Sequence, residues 1–129
     1  MRPGTENRAY FEHYRSDDSK ELERWYACPC CGYPTKEGPA DFEICILCSW
    51  MDDGDPWNYG GLSLEEARSN FACYRVKYPP GSTGFEHETP RNREHKEKMI
   101  AAYDRYMAEK DLRLKTELWK ECRRLSDSF

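Results

Sequence analysis

The chain has 129 residues, a formal net charge of −4 and a sequence pI near 5.5. That length fits one domain, and 38% hydrophobic with 34% charged residues lies on the polar side of globular, while the 14% aromatic share excludes global disorder. No stretch approaches a membrane span, and seven cysteines are too few for a disulfide scaffold yet too clustered for chance core residues.

Met1 to Ser19 is polar, with no apolar run of signal-peptide length, so a cytoplasmic protein with reduced thiols is expected. Residues 5–15 read as a short helix with Tyr10, Phe11 and Tyr14 on one side, ended by Ser16-Asp17-Asp18-Ser19. Trp25 to Cys48 is short-strand and turn territory, punctuated by Pro29, Gly32, Pro34, Gly38 and Pro39. Asp52 to Gly61 is loop.

Ser63-Leu64-Glu65-Glu66 has the form of a capping box, which predicts a helix from about Leu64 to Arg75 with Ala67, Phe71 and Tyr74 on one face. Thr89-Pro90 supplies a hydroxyl cap and a proline at the first helical position. From there Met99, Tyr103, Met107, Leu114, Leu118, Cys122 and Leu125 form one apolar stripe, as in a single helix reaching about Leu125. Such a helix would be roughly 50 Å long at about 1.5 Å per residue, longer than a compact domain of this size. It must bend near Lys110-Asp111, project from the body, or pair with a second copy as a homodimer.

Charge is unevenly spread. Between Lys36 and Arg68 there is no Lys or Arg, while Glu37, Asp41, Glu43, Asp52, Asp53, Asp55, Glu65 and Glu66 give that stretch −8. It would repel nucleic acid and attract a basic protein surface; the plainer reading is a solvated polar loop.

Cys28-Pro29-Cys30-Cys31 and Cys45-Ile46-Leu47-Cys48 stand thirteen residues apart. Taken as Cys28 with Cys31 and Cys45 with Cys48, they are two Cys-x-x-Cys units, the spacing at which a tight turn aims both sulfurs at one ion. Four thiolates suit one structural Zn²⁺, although iron could occupy the same sulfurs and make an electron carrier. Free or redox-paired thiols are the alternative to a metal. Cys30 could replace Cys28 or Cys31 as ligand, or sit beside them as an inert thiol.

Tyr26 through Tyr33, Glu43 through Trp50, Asp52-Asp53-Gly54, Gly60-Gly61 and Ala67 through Phe71 together resemble the bacterial cysteine-rich CPCC domain, over about residues 25–92. The resemblance implies a zinc-binding, rubredoxin-like or zinc-ribbon module. It carries no established activity, and the toxin neighbourhood of some members fits an immunity role.

The remaining candidates are weaker. Asp52, Asp53 and Asp55 lack the alternating acidic spacing of a calcium loop and suit loop hydrogen bonding. Trp50 and Trp57 are expected to cover the metal turns, and Asn70 to satisfy loop backbone. His13, His87 and His95 read as surface residues, Cys73 and Cys122 as helix-packing ones. Leu112 and Trp119 lie off the main stripe and either form an exposed contact face or pack against Tyr10, Phe11 and Tyr14. No nucleophile elbow, phosphate-cradling loop or His-Glu-x-x-His helix is present, so no enzyme is expected.

The sequence therefore predicts an α+β protein with a small zinc-ribbon-like centre: an N-terminal helical segment over 1–24, a zinc-binding domain over 25–92 and a helical extension over 93–129. The expected function is protein recognition, concretely an immunity protein binding a basic toxin domain, with Asp52, Asp53, Asp55, Glu65, Leu112 and Trp119 as candidate contacts. An iron carrier and a nucleic-acid-binding zinc ribbon are the second and third readings.

Overall fold

A computed structural model describes residues 9–38, 42–51, 62–82 and 88–129, and its architecture is α+β. Strands β1 (Tyr10–Tyr14) and β2 (Leu22–Tyr26) pair antiparallel, with Phe11 opposite Trp25 and His13 opposite Glu23. The helix expected over residues 5–15 is therefore corrected: residues 10–14 are strand. Aromatic-rich runs favour a pleated surface, and Ser16 to Ser19 act as the turn between two such runs rather than as a helix end. The outer face carries Arg24 on Glu12 at 2.6 Å and over the Tyr10 ring at 3.9 Å.

Helix α1 (Leu64–Tyr74) starts on the expected cap. Ser63 Oγ accepts the Glu66 N–H at 3.1 Å and donates to the Glu66 carboxylate at 3.1 Å. The helix ends at Arg75 in the left-handed conformation, its N–H donating to the Phe71 carbonyl at 2.9 Å. Ala67 and Phe71 are its buried face. Cys73, two residues past Phe71, is turned about 200° away and exposed, so it is not the packing residue expected.

The long apolar stripe belongs to two helices, α2 (Pro90–Ala108) and α3 (Leu112–Asp127), the second being the long C-terminal helix. Glu109 is extended, and Asp111 caps a new helix by accepting the N–H groups of Arg113 and Leu114 at 2.9 and 3.0 Å. The bend at Lys110-Asp111 is thus a full break. The chain reverses: Tyr106 packs on Trp119 with ring centroids 4.9 Å apart, and Tyr103 Oη lies 3.0 Å from Ser126 Oγ.

Past the break the buried face widens to one side: Lys115, Thr116 and Trp119 join Cys122 and Leu125 of the stripe inside, Leu118 is half-buried, and Leu114 alone of the stripe is exposed. Trp119 is only 5% exposed and packs on His13, Trp25, Tyr103 and Tyr106. It cannot serve as an exposed contact, and the packing alternative is corrected in its partners: the rings it meets on the strand pair are His13 and Trp25, where Tyr10, Phe11 and Tyr14 were expected. Leu112 is half-buried. Thr116 Oγ1 donates to the Tyr14 carbonyl at 3.0 Å and Arg113 to the Asp17 carbonyl at 2.8 Å, fixing α3 to the hairpin.

His13 is buried, contrary to the surface position expected. Its Nδ1 lies 2.9 Å from Tyr106 Oη, and its ring stacks on Trp119 at 5.0 Å. Burial lowers its pKa, an effect the Glu23 carboxylate opposes. Among the described residues no helix is long and apolar enough to cross a membrane.

Candidate metal centre

The chain between β2 and α1 forms two turns of one design. In the first, the Gly32 N–H donates to the Cys28 carbonyl at 2.8 Å and the Cys28 N–H to the Tyr33 carbonyl at 2.9 Å. In the second, the Ser49 N–H donates to the Cys45 carbonyl at 3.0 Å and the Cys45 N–H to the Trp50 carbonyl at 2.9 Å. The residue after the second cysteine is left-handed in both, Gly32 at φ 80° and Ser49 at φ 73°. That reversal folds each Cys-x-x-Cys back on itself and turns both sulfurs to the same side.

The sulfurs of Cys28, Cys31, Cys45 and Cys48 all lie within 4.8 Å of one another. Cys28 Sγ is 3.6 Å from Cys48 Sγ and Cys31 Sγ is 3.7 Å from Cys45 Sγ, each contact joining one turn to the other. A tetrahedron of sulfurs with metal–sulfur bonds of about 2.3 Å has edges of about 3.8 Å. The donor set therefore fits a tetrathiolate metal. All four are free of disulfides; Cys28, Cys45 and Cys48 are buried and Cys31 half-buried.

Without a cation these groups cannot all ionise together. Burial pushes the Cys28, Cys31 and Cys48 thiols well up. Burial acts the same way on Cys45, but hydrogen bonds from Cys28, Cys31, Cys48 and Thr35 outweigh it and hold Cys45 well below the usual range. A divalent ion at the centre would hold all four as thiolates, and its binding would release the protons they carry.

Cys30 is buried but stands outside the four-sulfur group. Within the first turn it holds the place that Leu47 holds in the second, and both side chains join the hydrophobic core. Its role is apolar packing beside the ligands. Trp50 is buried as expected, while Trp57 lies outside the described residues.

Helix α1 clasps both turns. Arg68 Nε donates to the Pro29 carbonyl at 2.8 Å, and beyond the helix the Lys77 N–H donates to the Cys48 carbonyl at 2.8 Å. Asn70 Nδ2 donates to the Lys77 carbonyl at 2.7 Å, the backbone role expected of it. Tyr33 carries the centre onto the helical body, its ring 6.5 Å from Phe71 and 6.0 Å from Tyr103.

Two neighbours were not legible as such in the sequence. Thr35 Oγ1 lies 3.1 Å from Cys45 Sγ, and the Trp50 N–H points at Cys48 Sγ at 3.5 Å. Of the candidate contacts, Glu65 is exposed in the first turn of α1, and Asp52, Asp53 and Asp55 lie outside the described residues, as does His87. His95 is half-buried, its Nε2 2.6 Å from the Leu125 carbonyl. Cys122 is buried as expected, its thiol pushed up to about 12 by burial.

Residues 26–79 match the model of the family described as Cysteine-rich CPCC. No curated protein and no solved structure matches the chain.

Proposed function

We propose that this chain, whose residues 26–79 carry a cysteine-rich CPCC domain, is a protein-recognition module held together by one structural Zn²⁺ on Cys28, Cys31, Cys45 and Cys48. The observation that carries the reading is the closed set of four cysteines: four protein ligands leave a tetrahedral ion no position for water or substrate. A zinc ion so enclosed has no redox chemistry and no open position, so it fixes loops and the function lies in the surface it shapes.

The stretch from Glu37 to Ala67, with eight carboxylates and no Lys or Arg, favours a basic partner. The concrete form of the reading is a cytoplasmic bacterial immunity protein that neutralises a toxin by binding its basic domain. Co-expression with a toxin encoded beside it tests this: protection together with a stable one-to-one complex is expected, and neither binding nor protection refutes it.

A second reading, an iron electron carrier, draws on the Trp50 N–H and Thr35 hydroxyl beside the sulfurs, because hydrogen bonds to sulfur tune iron–sulfur potentials. Colourless protein with stoichiometric zinc removes it.

A further inference from the structure

Among the described residues, three of the large hydrophobic side chains left exposed fall within one five-residue run. Phe42, Ile44 and Ile46 are 55, 62 and 41% exposed, while Cys45 between the isoleucines is buried with its sulfur in the four-sulfur cluster. The run is fixed from behind. Ile44 bridges Met51, the Cys45 N–H donates to the Trp50 carbonyl, and Lys36 Nζ donates to the Glu43 carbonyl. Phe42 also holds a left-handed backbone at φ 62°, a conformation that costs a bulky residue about 1–2 kcal/mol. Exposure and strain both work against folding here, the pattern of a segment shaped for contact.

We infer that Phe42, Ile44 and Ile46 are the apolar anchor of a docking surface for a basic protein segment, and that the metal beneath holds this anchor in place, so that partner binding and metal binding are coupled. The inference rests on the protein-recognition reading. Charge selects the occupant. Glu43 is exposed inside the run and Glu37 just before it, within a stretch that carries no Lys or Arg. A second copy would set like charge against like, whereas a segment alternating basic and apolar residues is complementary in charge to the stretch and in polarity to the ridge. Coupling follows from position: Cys45 is flanked by two anchor residues, so losing the ion frees the ridge. Linkage makes the effect reciprocal, each ligand tightening the other by one factor.

The test uses the metal-loaded chain and three synthetic peptides, alternating Lys with Leu, Lys with Ser, and Glu with Leu, with binding read by fluorescence anisotropy. The Lys–Leu peptide is expected to bind at least about tenfold tighter than Lys–Ser. The double variant Phe42→Ser, Ile44→Ser should lose that advantage with metal content unchanged, and bound Lys–Leu peptide should tighten the metal in chelator competition by the same factor by which metal tightens the peptide. Equal binding of the two Lys peptides, or an advantage kept by the double variant, overturns the ridge while leaving recognition by charge standing. Preference for Glu–Leu, or self-association that the double variant abolishes, overturns the basic occupant. Metal affinity indifferent to peptide overturns the coupling. Failure of both Lys peptides to bind overturns the inference and the recognition reading together.

Discussion

The two cysteine turns share a backbone and differ in nearly every side chain around it. Both close with the same pair of hydrogen bonds and the same left-handed residue, yet that residue is Gly32 in one and Ser49 in the other. The inner position is Cys30 in the first and Leu47 in the second, and only the second has a hydroxyl, Thr35, on a ligand sulfur. What the site requires is thus the backbone reversal and two sulfurs per turn. The rest of each turn answers to its neighbours in the core, and each difference has its own energetic consequence.

The largest effect should come from what the turns share. Cys45→Ser and Cys28→Ser should each abolish tight metal binding and unfold the cysteine centre, because structural zinc contributes on the order of 10 kcal/mol at neutral pH. Metal content and thermal unfolding measure this, and a fully loaded, stable variant of either would break the equivalence of the two turns. Next comes Thr35→Val, which removes the hydroxyl beside Cys45 alone. It should weaken metal binding roughly tenfold, the lower end for a group supporting a ligand, as read by chelator competition.

The left-handed position separates the turns by sign. Gly32→Ala meets no atom within 4 Å, so its cost is conformational only, about 1 kcal/mol in denaturant unfolding. Ser49→Gly relieves that strain and should stabilise by about 0.5 kcal/mol, part of the gain being offset by the greater freedom of glycine in the unfolded chain. Equal signs for the two changes would show that the turns are not conformational equivalents. Similarly small should be Cys30→Ala, costing about 1 kcal/mol or less with full metal content retained, as for a packing residue in the place of Leu47.

The metal ligands were legible in the sequence because Cys-x-x-Cys spacing is local geometry, and so were the caps at Ser63 and Thr89, which act within one turn. The hairpin was hidden because its inward face carries His13 and Glu23 beside Phe11 and Trp25, so polar side chains mask the alternation that marks a strand. The break between α2 and α3 was legible only as one of three outcomes: apolar residues continue through it at helical spacing, and the excess length with the polar Lys110-Asp111 step marks the place where Asp111 caps a new helix. Leu114 and Trp119 then exchange the roles that an unbroken stripe assigned them. Cys30 was undecided because spacing alone allows it as a ligand; the match between its place and that of Leu47 exists only in three dimensions.

The central claim, a metal enclosed by four cysteines that holds the centre together, is tested most directly by counting metal and reactive thiols on the same purified sample. One zinc ion per chain is expected, with exposed Cys73 as the one fast-reacting thiol, and with chelation unfolding the centre and opening Cys28, Cys31, Cys45 and Cys48 to the reagent together. A chain free of metal that keeps its fold with those four thiols protected would contradict the account.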